Sequence, residues 1–357
     1  MISLATSKVT QAVRDNIEDC LNENRIGQGR FNKEFEDRVA AYMGVKHAIA
    51  VCNGSMADIV ALGALKAKYP DKDEVIVPAY TFIAQTNAIL INGLKPVFVD
   101  VEKCDFQLNH VQVEKAITDK TLCIFPVHLF GRDCYIDALL DIAIDYDLPV
   151  VEDCCEAYGG QTETKQKFGT FGDFGTFSFF PSHTITTGEG GIIITDDDEL
   201  SGIARQVANH GRRGNNILDK FHFDVFGYNG KMSNVLASIG CAVVDSADEV
   251  IEKRQKNVDL YNKLLNKYWY AESPHCYPVV CESEIQRNTI LQVLESNGIE
   301  ARKAFSCLPT QEKVYVNFGG KYPIAEELGK VALFVPVHQD LSEKDIIKIC
   351  NVIKKCL

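Results

Sequence analysis

The residues best suited to chemistry sit in a few short stretches. His183 stands in FSFFPSHTITTGEGGIIIT, Phe177 to Thr195, between two apolar runs. An imidazole there can move protons near neutral pH. VVEDCCEAYGG places Asp153 just after a strand-like run, with Glu156 one turn on. An acid at the carboxyl end of a parallel strand sits where open α/β sheets bind ligands. It can face a ring nitrogen or a metal, or it can simply cap a helix; taken alone, the cap is the weightier reading. AVCNGSMADIVALGAL runs from a strand through Asn53, Gly54 and Ser55 into an apolar helix. Free N–H groups at a helix start attract anions, although Ser55 would also serve as a plain N-cap. In PAYTFIAQ, Phe82 follows a strand and can stack on a planar cofactor or belong to the core. Two glycine-rich polar loops, NHGRRGN (Asn209 to Asn215) and GYNGKMSN (Gly227 to Asn234), carry Arg212, Arg213 and Lys231. These cations suit a phosphate, or are solvated loop charges.

The elements that must position these residues alternate in type. EVIVPAY reads as a buried strand ending at Pro78, and QTNAILING as a helix closed by Gly93. KPVFVDV, TLCIFPVHLF and LPVVED read as further strands, separated by the helical VQVEKAI and YIDALLDIAIDYD. Runs this apolar, in a β-α-β-α rhythm, indicate a parallel sheet covered on both faces. FGTFSFFP and GGIIITDD read as paired strands joined by the His183 segment. Beyond residue 245 the pattern changes. A long charged amphipathic helix spans Asp248 to Tyr268, followed by YPVV, a helix over SEIQRNTILQVLESNG and a last helix starting at Ser342. The reading is a large α/β domain over 1–245 and a small C-terminal α/β domain over 246–357.

Bulk properties narrow the function. The chain has 357 residues and a formal net charge of −12, which argues against a nucleic-acid partner. An anionic substrate then requires a local cluster of donors. The 13 cysteines include no C-x-x-C and no C-x-C pair, so neither a disulfide framework nor a zinc site is expected. The N-terminal residues lack the apolar core of a signal peptide, and no run is long enough to span a membrane. A cytoplasmic chain is the expectation.

Taken in order, these motifs are similar to the sugar-nucleotide aminotransferases of DegT/StrS type, within the PLP-dependent aspartate aminotransferase fold (type I). The resemblance runs from GQGRFNKEFEDRVAAYMGVKHAIAVCNGS to VPVHQDLSEKDI, nearly the whole chain. It implies a large, mostly parallel seven-stranded α/β domain and a small C-terminal one. It implies that Gly54, Ser55 and Ser178 hold the phosphate of PLP or pyridoxamine phosphate (PMP), that Phe82 stacks on the pyridine ring, and that Asp153 pairs with its nitrogen. It places Glu156 near the ring, and has Asn229 reach the phosphate of a neighbouring subunit in a homodimer. Arg212 and Lys231 are left as candidates for the substrate.

In most of that family the position of His183 is the lysine that holds PLP covalently. An imidazole has no primary amine and cannot do so. The segment FPSHTITTGEGG resembles a branch with histidine at this point, the nucleotide-sugar 3-dehydratases. That likeness implies that PMP condenses at C4 of a nucleotide-linked 4-keto-6-deoxyhexose. His183 would take a proton from the cofactor's C4′ carbon as the C3 hydroxyl leaves, and an amino donor such as glutamate would recharge the cofactor. An iron–sulfur variant of this branch carries a C-x-C pair, which this chain lacks. Other readings stay open: an aminotransferase with its lysine replaced, an inactive cofactor-binding relative, a histidine introduced in place of lysine, or a metal ligand without a nearby second one.

Overall fold

The computed structural model describes residues 1–356, leaving out 215, 217, 220, 306 and 307. Asn215 and parts of the loop that follows it, and Cys307, therefore lie outside the described residues. The strands are β1 (His47–Val51), β2 (Glu74–Pro78), β3 (Lys95–Val99), β4 (Thr121–Ile124), β5 (Val151–Asp153), β6 (Phe174–Ser178), β7 (Gly191–Thr195), β8 (Tyr277–Val280), β9 (Arg302–Lys303) and β10 (Ala332–Val335).

β3, β2 and β4 form a parallel ribbon, and β5, β6, β7 and β1 a mixed one. Parallel bridges Ile124 to Val150 and Val127 to Asp153 stitch the two together. The layer thus runs β3-β2-β4-β5-β6-β7-β1. β7 pairs antiparallel with both β6 and β1, so it alone runs against the rest. The carboxyl ends of β1, β2, β5 and β6 consequently share one edge. Every residue of β4, β5, β6 and β7 is buried, as strands covered on both faces require.

Helix Gly54–Lys68 lies at the centre of the large apolar core and buries nine of its residues. Its N-cap is Asn53, whose side chain accepts from the Met56 N–H at 2.8 Å. This corrects the expectation of Ser55 as the cap: Ser55 lies in the first turn and is exposed. Helix Ile83–Ile91 stops before Gly93, which takes φ +69°, the left-handed turn that glycine permits. TLCIFPVHLF is shorter as a strand than read. It pairs regularly only to Ile124, because Pro126 has no N–H to give and Phe130 turns left-handed at φ 59°.

Helix Ala247–Leu265 ends at Asn266 in the left-handed region. It leads into an antiparallel sheet β8-β10-β9. Helix Glu343–Lys354 is capped by Ser342, with Asp345 completing a reciprocal capping box. The Tyr261 hydroxyl donates to the Pro336 carbonyl at 2.9 Å, tying the long helix to this sheet. The largest apolar cluster continues from Ile49 in β1 through to Ile353. Among the described residues, no helix is long and apolar enough to cross a membrane, and twelve cysteines are free thiols.

Candidate active site

A cavity of about 610 Å³ opens at the shared carboxyl edge of the strands. Gly54, Ser55, Phe82, Asp153, Glu156, Ser178 and His183 all line it. Seven residues chosen from four separate stretches therefore converge on one site. Arg212, Asn229 and Lys231 do not line it. The backbones of Asn209 and Asn229 pair as a bridge, and Lys231 Nζ donates to Asn209 Oδ1 at 3.2 Å. Arg213 is taken by Asp224 through two bonds of 2.7 Å, which realises its reading as a loop charge.

The anion end is built by close packing. A Cβ at Gly54 would lie 2.6 Å from Ser178 Cβ and 3.0 Å from Cys155 Sγ. Only glycine lets the helix start approach β6 this closely. The approach sets the start of the helix, with Ser55 in its first turn, beside Ser178 on the cavity wall. That donor set fits a phosphate.

The middle of the cavity fits a flat cation-bearing ring. Phe82 precedes its helix and is 58 % exposed, a large aromatic face presented to the cavity. Asp153 ends β5 with 7 % exposure, and its Oδ1 accepts from the Cys155 N–H at 3.0 Å. No helix follows, so the helix-cap reading of Asp153 is not realised. Burial pushes its carboxyl up from the usual range, while the Cys155 N–H bond pulls the other way. Behind it, Asp58 is fully buried and accepts from Thr176 Oγ1 at 2.8 Å. Burial, then the charge of Asp153, raise Asp58 well above an ordinary aspartate.

The far wall holds three titratable groups, His183, His275 and Glu156. Burial, then the nearby Arg254 charge, lower His183 to about 3, so its ring is neutral at pH 7. Its ring centre is 5.2 Å from that of His275. Nε2 of His275 is 3.6 Å from Glu156 Oε1, and Glu156 Oε2 accepts from the Phe130 N–H at 2.7 Å. Burial raises the Glu156 carboxyl to about 8. Arg254 donates to the His183 carbonyl at 2.8 Å.

Sequence reasoning missed Asp58, Arg254 and His275. Asp58 sits three residues past Ser55 and reads as part of an apolar helix. Arg254 is one of many charges on a long helix. His275 lies in the C-terminal part, and nothing local in SPHCYP marks it.

The model of the DegT/DnrJ/EryC1/StrS aminotransferase family matches residues 8–354. A GDP-perosamine synthase of Escherichia coli is 35% identical over 356 residues, covering 97% of this chain and 96% of its own. A GDP-4-keto-6-deoxy-D-mannose 3-dehydratase of Yersinia pseudotuberculosis is 31% identical over 386 residues, covering 99% and 98%. Among solved structures, a GDP-4-keto-6-deoxymannose-3-dehydratase with a trapped PLP-glutamate geminal diamine superposes with a TM-score of 0.91 at 27% identity, covering 99% of this chain and 100% of that one. The α/β architecture is therefore the PLP-dependent, type I fold that the motifs implied.

Proposed function

The chain belongs to the DegT/DnrJ/EryC1/StrS aminotransferase family, and from that premise we propose that it is a PLP/PMP-dependent 3-dehydratase of a nucleotide-linked 4-keto-6-deoxyhexose. The observation that carries this reading is His183 on the cavity wall, sharing the cavity with the phosphate corner, Phe82 and Asp153. The residues present fit PMP: Gly54, Ser55 and Ser178 would hold the phosphate, Phe82 the ring face and Asp153 the ring nitrogen. When bound, PMP supplies an amino group that condenses with the sugar ketone and a protonated ring that draws electrons from the reacting carbons.

The chain's own residues do the rest. Asp153 keeps a negative charge against the ring nitrogen. His183, neutral at pH 7, accepts a proton at a ring nitrogen and returns it to the departing C3 oxygen. Because His183 cannot attach the cofactor, the phosphate corner, Phe82 and Asp153 must retain it. Overall, keto sugar and glutamate become the 3-deoxy keto sugar, 2-oxoglutarate and ammonia; glutamate supplies the two electrons that replace C–O by C–H. Asn229, with Arg212 and Lys231 beside it, would serve the cavity of a second copy. The adjoining loop exposes Leu218 at 81 %, Phe223 at 54 % and Phe226 at 98 %, an apolar patch that a homodimer would cover. Sedimentation should therefore give a dimer; a monomer at working concentration would remove that part.

Amination is the second reading, favoured by the higher identity to the perosamine synthase. Incubation with PLP, glutamate and GDP-4-keto-6-deoxymannose separates the two by mass. A product short of one oxygen supports dehydration, while an amino group in place of the ketone oxygen supports amination. His183→Asn should lower dehydration by roughly 10²–10⁴-fold, the usual worth of general acid–base catalysis, with PMP affinity retained. Full activity in that variant would reduce His183 to a space-filling residue. His183→Lys should regain a covalent hold on PLP and shift the product toward the amine.

A further inference from the structure

Two buried nitrogens beside the cavity have no partner, and they belong to neighbouring rings. Nδ1 of His183 and Nδ1 of His275 are both sealed from solvent without a hydrogen bond. The rings are tilted by 38° with centres 5.2 Å apart. Buried polar atoms are nearly always paired, so two orphans on adjacent rings call for one explanation. Ring centres this close leave room for one hydrogen to be shared when the two Nδ1 atoms face each other. The opposite nitrogen of His275 already approaches Glu156, at 3.6 Å.

Arg254 explains why the rings are adjacent. It is 2 % exposed, and among the described residues no carboxylate pairs with it. It donates from Nη2 to the His183 carbonyl at 2.8 Å, from Nη1 to the Pro274 carbonyl at 3.1 Å and from Nε to Gln339 Oε1 at 3.3 Å. A buried guanidinium is costly unless its hydrogen bonds are used. Here they join the peptide that carries His183 to the one that precedes His275.

We propose that His275 is a proton-relay residue linking His183 to Glu156, and that Arg254 is the positioning residue that holds the two rings together. This rests on the reading of His183 as the base. When His183 takes a proton at Nε2, its Nδ1 hydrogen passes to Nδ1 of His275, and His275 releases its Nε2 hydrogen to the Glu156 carboxylate. The reverse passage returns a proton through His183 to the departing C3 oxygen. Protons balance and no electrons move. Neither imidazole has to hold a positive charge beside Arg254. Glu156, with its carboxyl raised to about 8, can occupy either state near neutral pH.

The test has a structural and a kinetic arm. In the full-length protein without cofactor, ¹⁵N-histidine NMR should show the two Nδ1 resonances coupled through one shared hydrogen. The coupling should vanish in His275→Gln and weaken in Arg254→Lys. Uncoupled resonances in the unaltered protein would overturn the relay. In the protein loaded with PLP and glutamate, His275→Gln and Glu156→Gln should each lower kcat for dehydration about 10²-fold, with KM little changed. If His183→Asn abolishes turnover while His275→Gln leaves kcat unchanged, the relay is wrong and the base reading stands. If His183→Asn leaves turnover unchanged, the base reading fails and takes the relay with it.

Discussion

Two histidine–carboxylate pairs draw their carboxylates, Glu152 and Glu156, from one short stretch, and they are built in opposite ways. Glu152 and His128 are wholly buried, with His128 Nε2 3.0 Å from Glu152 Oε2. Glu152 also accepts from the N–H groups of Gly169 at 2.9 Å and of Phe171 and Gly172 at 2.8 Å each. His128 stacks on Phe168 with ring centres 4.1 Å apart. Glu156, by contrast, has one backbone N–H and a loose approach from His275, and both line the cavity. Nδ1 of His128 is unpartnered as well. An orphan nitrogen alone therefore does not mark chemistry; it also needs access to a cavity and a second group to exchange protons with. The saturated pair fixes the loop over 168–172 against β5. The unsaturated one is left able to change its proton.

The sharpest way to break this contrast is to delete the saturated carboxylate. Glu152→Ala strands one buried and two part-buried N–H donors and His128, and should destabilise the fold by about 3–5 kcal/mol in urea unfolding. Glu156→Gln keeps one acceptor for Phe130 and, at about pH 5, where the raised carboxyl is still protonated in the folded chain, should change stability far less. Equal losses in the two variants would mean that both pairs are structural. A second, smaller effect belongs to the phosphate corner. Gly54→Ala puts a Cβ 2.6 Å from Ser178 Cβ, and overpacking of this kind costs about 1–3 kcal/mol. Ser178 is short and its strand fully buried, so neither side can yield easily. The variant should bind PLP roughly 10-fold or more weakly in a fluorescence titration, and unaltered binding would take Gly54 out of the cradle.

What separates the two pairs was only partly legible in the sequence. Glu152 and Asp153 are consecutive, and a strand points consecutive side chains to opposite faces. The strand-end rule therefore singles out Asp153, which lines the cavity, and leaves Glu152 behind it. The buried runs and their order gave the parallel layer, and Pro78 and Gly93 end their elements as read. Gly54, Ser55, Phe82, Ser178 and Glu156 meet at one cavity because the strands that precede them are parallel. His275 and Arg254 reach the site from the C-terminal part through tertiary packing, which leaves no local spacing to detect. The Asn53 cap was misassigned to Ser55 because both residue types cap well, and only the helix start decides between them.

The most gradual effect is the dependence of stability on pH, and it has opposite signs for the two cavity groups. Burial raises Glu156 from an ordinary 4.5 to about 8. Between those values the folded state binds more protons than the unfolded one, so this group's contribution is full below 4.5 and is lost as pH rises to 8. Burial, then Arg254, lower His183 from an ordinary 6.5 to about 3. There the unfolded state binds more protons, so the contribution is full above 6.5 and is lost as pH falls toward 3. Each slope is at most about 1.4 kcal/mol per pH unit. Relative to the unaltered protein, Glu156→Gln should gain stability between pH 5 and pH 8 (roughly the span of that shift), whereas His183→Asn should gain it as the pH drops below about 6. Denaturant curves at a series of pH values would show this crossing. Parallel curves for both variants would mean that the cavity wall is as firmly saturated as the His128 pair, and the contrast between the two regions would collapse.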